Sequence, residues 1–579
     1  MIHITNQKGS LDRLGSLKNK LDCFFYGINI PILFNPSTAK RRMKFELPDI
    51  PEKEQTPVVK GLMAIIEQLI EHTQKQQEEI ATLKDEVREL KGEKKRPKFK
   101  ASKLDESTND ETSDAENKNK KQKKRSRKKK QLSIHTEKVI KPDNLPAGSR
   151  FKGYQDFIVQ ELVIHNKNIR YRLERWLTPD GTLLTGSLPA SLDNRHYGPN
   201  LLTYLLYQHH HCQVTQPLLL EQLREWGIVI SSGQLNRLLC EGKERFHDEK
   251  DALLIAGLTE SGYVTVDDSG ARHKGKNGYV THIGNDFFAW FSSTESKSRA
   301  NFLSLLHGGK SCYLLSEEAF SYMHEHKLPQ AQLVKLKDLP ITDFSCEASW
   351  TKQLESLDIK GKRHIKIATE GALFAALLNK QDLNHLAIIS DGAGQFNVLE
   401  HGLCWVHAER LIHTMIPLND KHREEIKEIR AQIWTLYKKL KSYKLSPDGK
   451  QAEVLSLQFD QIFEQKTSYT TLNKCLERLA KHKAKLLLVL KRPDVPLHTN
   501  GSESDIRDYV KKRKVSGGTR SDLGRKCRDT FISLKKTCRK LKISFWDYLL
   551  DRHYYSQIFP PLPEIVRFRL SESKTATGL

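Results

Sequence analysis

Three stretches of the chain set carboxylates where a phosphodiester could be cut. GYVTVDDSG ends an apolar, strand-like run on Asp267 and Asp268. HLAIISDGAGQF closes a second apolar run on Ser390 and Asp391, with Gly392 and Gly394 behind them, and reads as a buried parallel strand with an acid at its C-terminal end. HTNGSESDIRDYVKKRKVSGGTR predicts a helix capped by Ser502 or Asn500, on which Glu503, Arg507, Lys511 and Lys514 follow at steps of four, four and three. One acid and three cations therefore share a face, an arrangement suited to a phosphodiester held beside a metal. Two acids on strands and one on a helix can converge on two divalent cations about 3.5–4 Å apart, which serve the attacking and the leaving oxygen of an in-line displacement. Mg²⁺ is the natural occupant of such oxygen ligands, with Mn²⁺ as its substitute. Glu295 and Glu370 compete for the third position, but neither has a comparable row of cations beside it.

These acids need a sheet to hold them. The runs at 263–266, 279–283 and 287–291, separated by the turns KGKNG and GND, predict a three-stranded meander, followed by a helix over 297–306. With the later parallel strand the expectation is a multidomain α/β protein whose acids lie at the C-terminal ends of strands, where open α/β sheets place their sites. A first part of the core spans 256–409, interrupted by an insertion at about 310–366. Residues 410–495 are helical and charged, which predicts a helical insertion between the second and third acids. The last part of the core spans 496–555, with a tail at 556–579. Gly501 to Lys542 carry fourteen Lys or Arg against five acids, interleaved with Phe531, Ile532 and Leu534. Helices of that kind bury one face and follow phosphates with the other. Gly517 and Gly518 are expected to break the chain there and to let backbone approach DNA.

Ahead of the core lie four different textures. Residues 1–57 read as a disordered arm, within which Met43 is the expected start of translation. Residues 58–91 hold a heptad seam, Leu62, Ile66, Leu69, Thr73, Gln76, Ile80, Leu83, Val87 and Leu90, which predicts a coiled coil and self-association. Residues 92–132 form a charged linker: six acids without a base over 104–117, then ten Lys or Arg among the thirteen residues 118–130. It cannot bury a core, so disorder and unspecific phosphate contact are expected. Residues 133–255 predict a small β-rich module and then a helix, a turn at Gly227 and a second helix. In helix-turn-helix geometry Gln234, Asn236 and Arg237 would face DNA. His209, His210, His211 and Cys212 are consecutive and point in different directions on a helix, so they read as structural or surface residues.

Composition narrows the classes. A net charge of +24 over 579 residues points to a polyanionic partner. No apolar run approaches the length of a membrane span, and nine widely spaced cysteines without a Cys-x-x-Cys pair argue against both a disulfide framework and a four-cysteine zinc site. A reducing cytoplasm is the expected compartment.

Taken together, these residues resemble the transposases of the insertion sequence 66 family, members of the Asp-Asp-Glu group with a ribonuclease-H-like core. VDDSG is similar to the family's Asp-Glu/Asp-Thr motif, which makes Asp267 the first ligand and Asp268 its neighbour; ISDGAGQF supplies Asp391. GLCWVHAERL, with Cys404, Trp405, His407 and Arg410, is similar to its Cys-Trp-x-His-Ala-x-Arg block. Asn500, Glu503 and Arg507 match its Asn-x-x-Glu-x-x-x-Arg block, with Glu503 as third ligand. The resemblance covers roughly residues 150–550, and a coiled coil followed by a basic linker matches the family's N-terminal layout. It implies a DNA transposase of the bacterial cytoplasm and nucleoid, working on element ends and target DNA with two Mg²⁺ ions, and it admits accessory proteins of the same element. A nuclease or resolvase that stops after hydrolysis, and an inactive DNA-binding regulator, are the alternatives. The chain lacks the family's Cys-x-x-Cys motif, so zinc is not implied, and Thr499-Asn500 stands where the family has paired asparagines. Cys404 and His407 would make only half a metal site, so a structural role near the acids is expected.

Overall fold

The computed structural model describes residues 134–577 with short gaps, together with Ile65, Leu69, His72 and Gln76. Those four positions are helical, and Ile65 and Leu69 are exposed. The rest of the expected coiled coil, the arm with Met43 and the charged linker lie outside the described residues.

The expected β-rich module is reduced to one hairpin, β1 (Arg175–Leu177) against β2 (Leu183–Thr185), turned at Gly181. Residues 157–174 have the alternation of a strand but pair with nothing regular, and Phe157, Val159, Leu162 and Val163 stand in solvent. Alternation makes a face, but a face becomes a sheet only where a neighbouring strand supplies the ladder.

The helices Pro199–Leu206, Gln216–Glu225 and Ser232–Cys240 follow. Gly227 takes a positive φ between the last two, and Ser231 caps the third in a reciprocal box with Gln234. The histidine run forms a single π-helical turn, Tyr207–His211. His210 is half-buried there against the Phe531 ring, 4.3 Å between centroids, and the His209 carbonyl accepts from the Lys512 ammonium at 2.7 Å. This turn is thus a packing joint onto the two C-terminal helices.

The core sheet has five strands: β3 (Tyr263–Gly270), β4 (Tyr279–Gly284), β5 (Ala289–Thr294), then, beyond the short pair β6 (Tyr313–Leu314) and β7 (Asp343–Phe344), β8 (Ala387–Ser390) and β9 (Glu400–Leu403). Their order is β5-β4-β3-β8-β9, the first three antiparallel and β3, β8 and β9 parallel. β8 is buried on both faces. Ile388 enters one apolar cluster, Ala387 and Ile389 the other, as the continuous apolar run requires. The stretch expected as an insertion holds β6, β7 and the helices Glu317–Glu325, Gln330–Lys337 and Glu347–Ser356; β6 and Glu317–Glu325 pack on the long helix Lys362–Lys380, Gln330–Lys337 packs on Glu317–Glu325, and the Trp350 indole N–H donates to Thr369 of the long helix at 3.0 Å. The helices Asp420–Tyr443, Gly449–Phe463 and Thr470–Ala480 form a bundle whose core around Trp434, Phe459 and Leu476 is continuous with Ala387 and Ile389 of β8.

Two helices complete the layer that holds the third acid. Asp522–Lys540 lies along the edge strand β5, where Asp529, Ser533 and Thr537 accept from the backbone N–H groups of Ser293, Phe291 and Ala289. Three polar residues at steps of four thereby satisfy every second residue of an edge that would otherwise be open to another chain. Asn500–Ser516 crosses β3 and β4. Its Ser502 hydroxyl meets the Thr265 hydroxyl at 2.5 Å, so this serine is committed to the sheet and not to a cap. The N-cap residue is Thr499, without a side-chain cap bond.

Candidate active site

Side-chain alternation on β3 separates the two neighbouring acids. Thr265 and Asp267 share the face covered by the helix Asn500–Ser516, and the residue opposite Asp267 on β4, His282, lies 3.3 Å from Asp505 of that helix. Asp268 points the other way. Its carboxylate accepts from Thr281 at 2.5 Å and from Gln395 at 2.9 Å, which ties β3 to the loop after β8. Asp268 therefore has neutral donors for both oxygens, whereas among the described residues Asp267 accepts only from the Asp268 amide, at 2.8 Å.

Asp391 follows the last residue of β8, exposed, and accepts from the Ala393 amide at 2.9 Å. Gly392 has φ +97°, a conformation open to glycine, and its amide donates to the Ser390 hydroxyl, which also meets His401 of β9 at 2.8 Å. The turn is held from both sides. Arg299 adds a further brace, bonding the Gly394 carbonyl at 2.8 Å while its other nitrogen reaches Tyr322 and the buried Glu370. Glu370 is thus committed to the brace, and Glu295 is exposed directly after β5.

Glu503 lies in the first turn of its helix, where the helix dipole favours a carboxylate. Three basic side chains surround it: His407 at 3.4 Å, Arg410 at 3.8 Å and Arg507 at 3.5 Å. His407 and Arg410 come from the helix Trp405–His413, which starts directly after β9. Cys404 is its buried N-cap residue, and Trp405 is buried with its indole N–H on the Leu486 carbonyl, so these two anchor the helix that brings His407 and Arg410 to the acid. Asn500 opens the Glu503 helix.

The electrostatics register the convergence. Burial pushes the Asp267 carboxyl up to about 6, and the charges of Asp391 and Glu503 add to the push against the pull of the Asp268 amide and His407. Asp391 and Glu503 thus both act on Asp267, and Asp391 also acts on Asp268. Among the described residues no three His, Cys, Asp or Glu side chains are gathered closely enough to hold an ion by themselves. The donor set still fits hard cations: all oxygen, mutually repelling, and with the Glu503 Oε1 buried and without a hydrogen bond. Mg²⁺ usually takes one or two carboxylates and completes its shell with water and substrate phosphate.

The helix-pair residues lie elsewhere. Gln234 is used by the cap of its helix, Asn236 accepts from Gln216 at 3.2 Å, and Arg237 is exposed. Arg507, Lys511 and Lys514 are exposed along the face that carries Glu503. Gln395, Thr281 and Arg299 had no sequence signal beyond the neighbouring glycines, since each acts across a gap of many residues.

Residues 381–526 match the family model described as Transposase IS66 family. The matched part contains Asp391, the Cys404–Arg410 block and Glu503, and it starts after Asp267. A protein of Sinorhizobium fredii (strain NBRC 101917 / NGR234), named only as uncharacterized protein y4jO, is 41% identical over 302 residues, 52% of this chain and 94% of that protein. No helix of the described residues is long and apolar enough to cross a membrane. With the two strand acids and the helix acid in the order set out above, the chain belongs to the transposase IS66 family.

Proposed function

We propose that the protein is a DNA transposase whose five-stranded sheet is a ribonuclease-H-like core, with Asp267, Asp391 and Glu503 as the catalytic, metal-holding acids. The observation that carries this reading is geometric: Asp267 lies on the face of β3 that the Glu503 helix covers, and Asp391 follows the parallel neighbour strand β8. Like charges brought together against burial cost stability, and a bound cation repays that cost. Asp267, Asp391 and Glu503 would hold the divalent ions, which when bound stabilise charge on the attacking and leaving oxygens.

The chain's own groups do the rest. His407 and Arg410 hold the Glu503 carboxylate in place, the Arg299 brace fixes the loop after Asp391, and Arg507, Lys511 and Lys514 hold backbone phosphates so that the scissile bond is aligned. In the first step water adds to phosphorus and the bond to the 3′ oxygen breaks, leaving a 3′-hydroxyl and a 5′-phosphate. In the second, that hydroxyl attacks a target phosphodiester, and the target's 3′ oxygen leaves with the proton. DNA is the partner, element ends and target alike, which puts the protein with the nucleoid. The helix pair with Arg237 would read the ends, the coiled coil would join two copies, and companion proteins of the element would assist.

The test is incubation of full-length protein with Mg²⁺ and duplexes carrying the DNA that flanks its gene. Nicks at a repeat boundary followed by joined products support the transposase; nicks without joining leave a nuclease, and neither leaves a DNA-binding regulator.

A further inference from the structure

The turn between β3 and β4 projects beyond the acids and is built more rigidly than a connection of its length requires. The ring of His273 meets the Thr519 hydroxyl at 2.8 Å with one nitrogen and Asp522 at 2.8 Å with the other. The Lys274 amide donates to the Thr519 carbonyl and the Thr519 amide to the Arg272 carbonyl, while the Lys274 ammonium takes the second oxygen of Asp522. Gly518 sits so close to this turn that a Cβ there would lie 2.6 Å from the Arg272 carbonyl oxygen. The Arg513 guanidinium bonds the Gly270 carbonyl from the Glu503 helix. The turn is therefore clamped to the C-terminal end of that helix.

The clamp uses up the acids and leaves cations over. Asp522 is taken by His273, Lys274 and Arg525, and Asp508 by Lys511 and Lys536. Arg272, Lys276 and Arg520 are exposed, and among the described residues none of them is within ion-pair reach of a carboxylate. They continue the line that Arg507, Lys511 and Lys514 begin. From Glu503 to the end of its helix is about 20 Å at 1.5 Å per residue, and from Asp267 to His273 is also about 20 Å at 3.3 Å per residue. Strand and helix set out from the acids and meet at the clamped turn.

We propose that this turn is a second phosphodiester-binding site, in which Arg272, Lys276 and Arg520 hold the backbone of duplex DNA about six base pairs from the bond that is cut, at about 3.4 Å per base pair. The proposal rests on the reading of the acids as a DNA-cleaving centre and adds where the duplex lies. A pre-braced turn gives up little freedom on binding, which is what the His273 contacts achieve. Contacts at both ends of a 20 Å line fix the direction of the duplex, while contacts beside Glu503 alone would leave it free to swing.

The experiment measures the binding of full-length protein to a 30-base-pair duplex of fixed sequence at a series of salt concentrations. Each lost phosphate contact flattens the log–log salt slope by about 0.9, so R272Q/K276Q/R520Q should lower it by about 2–3. The charge-preserving R272K/K276R/R520K should keep the wild-type slope, and so should K335Q/K337Q/K360Q, which removes three exposed cations from the inserted unit. The 118–130 block is common to all these proteins and cancels. A tip variant with the wild-type slope, while R507Q/K511Q/K514Q is flattened, overturns the second site and leaves the cleaving centre standing. Equal flattening by the control triple also overturns it. Wild-type protein without salt-dependent binding to the duplex overturns both.

Discussion

Asp267 and Asp268 are neighbours with opposite assignments, and the difference comes from the pleat. Asp267 faces Glu503 and has one backbone donor; Asp268 faces Thr281 and Gln395 and is fully engaged by them. Asp267→Asn should abolish Mg²⁺-dependent cleavage while duplex binding stays within a fewfold of wild type, because the cationic surfaces are untouched. Asp268→Asn should retain part of the activity, since an amide still accepts from Thr281. Cleavage rates and binding constants measured side by side check the order, and the reverse order would move the ligand to Asp268. Arg507→Ala should raise KM more than it lowers kcat, as expected for a group that positions phosphate. At this scale the elements under the proposed acids were legible in the sequence: Asp267 lies on β3, Asp391 directly follows β8, and Glu503 lies in the first turn of a helix. The cations around Glu503 were only half legible: Arg507 is one turn away on the same helix, whereas His407 and Arg410 arrive from another helix ninety-odd residues earlier.

The elements that hold these residues follow local physics with three instructive exceptions. The meander and β8 could be read because apolar alternation and a buried apolar run are strong patterns. β9 could not, since Glu400-His401-Gly402-Leu403 has neither pattern and becomes a strand only by pairing with β8. Residues 157–174 have the pattern and no partner. Gly517 and Gly518 do break the chain after the Glu503 helix, but the close approach they permit is to the Arg272 backbone. That helix is fastened from behind by buried charge. Asp505 meets Lys536 at 3.3 Å and Lys540 at 2.9 Å, so Asp505→Ala, which leaves Lys536 to Asp508 and Lys540 to the Asn285 carbonyl alone, should cost about 1–3 kcal/mol in denaturant unfolding. Lys512 fastens it to the π-helical turn, and there burial first, then Arg528 and Lys535, lower the ammonium to about 7. A lysine depressed in the folded state weighs against folding while it is protonated. Its penalty is full below about pH 7 and fades as pH rises toward the ordinary lysine value of 10.5. The wild type should therefore gain stability relative to Lys512→Met between pH 7 and 10. A pH-independent difference would remove the depressed lysine from the account.

For the whole molecule, the basic excess, the sheet order and the family match all bear on one substrate. Deleting residues 58–91 should reduce self-association at micromolar concentration, seen by sedimentation, and impair the holding of two DNA ends in one complex. Deleting 118–130 should weaken all duplexes alike and flatten the salt slope. The layout of the N-terminal arm, seam and linker is an expectation from composition and periodicity that lies outside the described residues, and charge runs and seams specify partners without specifying geometry. The central claim is that Glu503 completes a metal-dependent site with Asp267 and Asp391, and the most direct measurement is cleavage of the gene-flanking duplex by wild type and Glu503→Gln across a Mg²⁺ titration. Wild-type cleavage should rise with Mg²⁺ and Glu503→Gln should not cleave at any concentration, with duplex binding retained. Wild-type cleavage by Glu503→Gln, with loss instead on Glu295→Gln or Glu370→Gln, would contradict it.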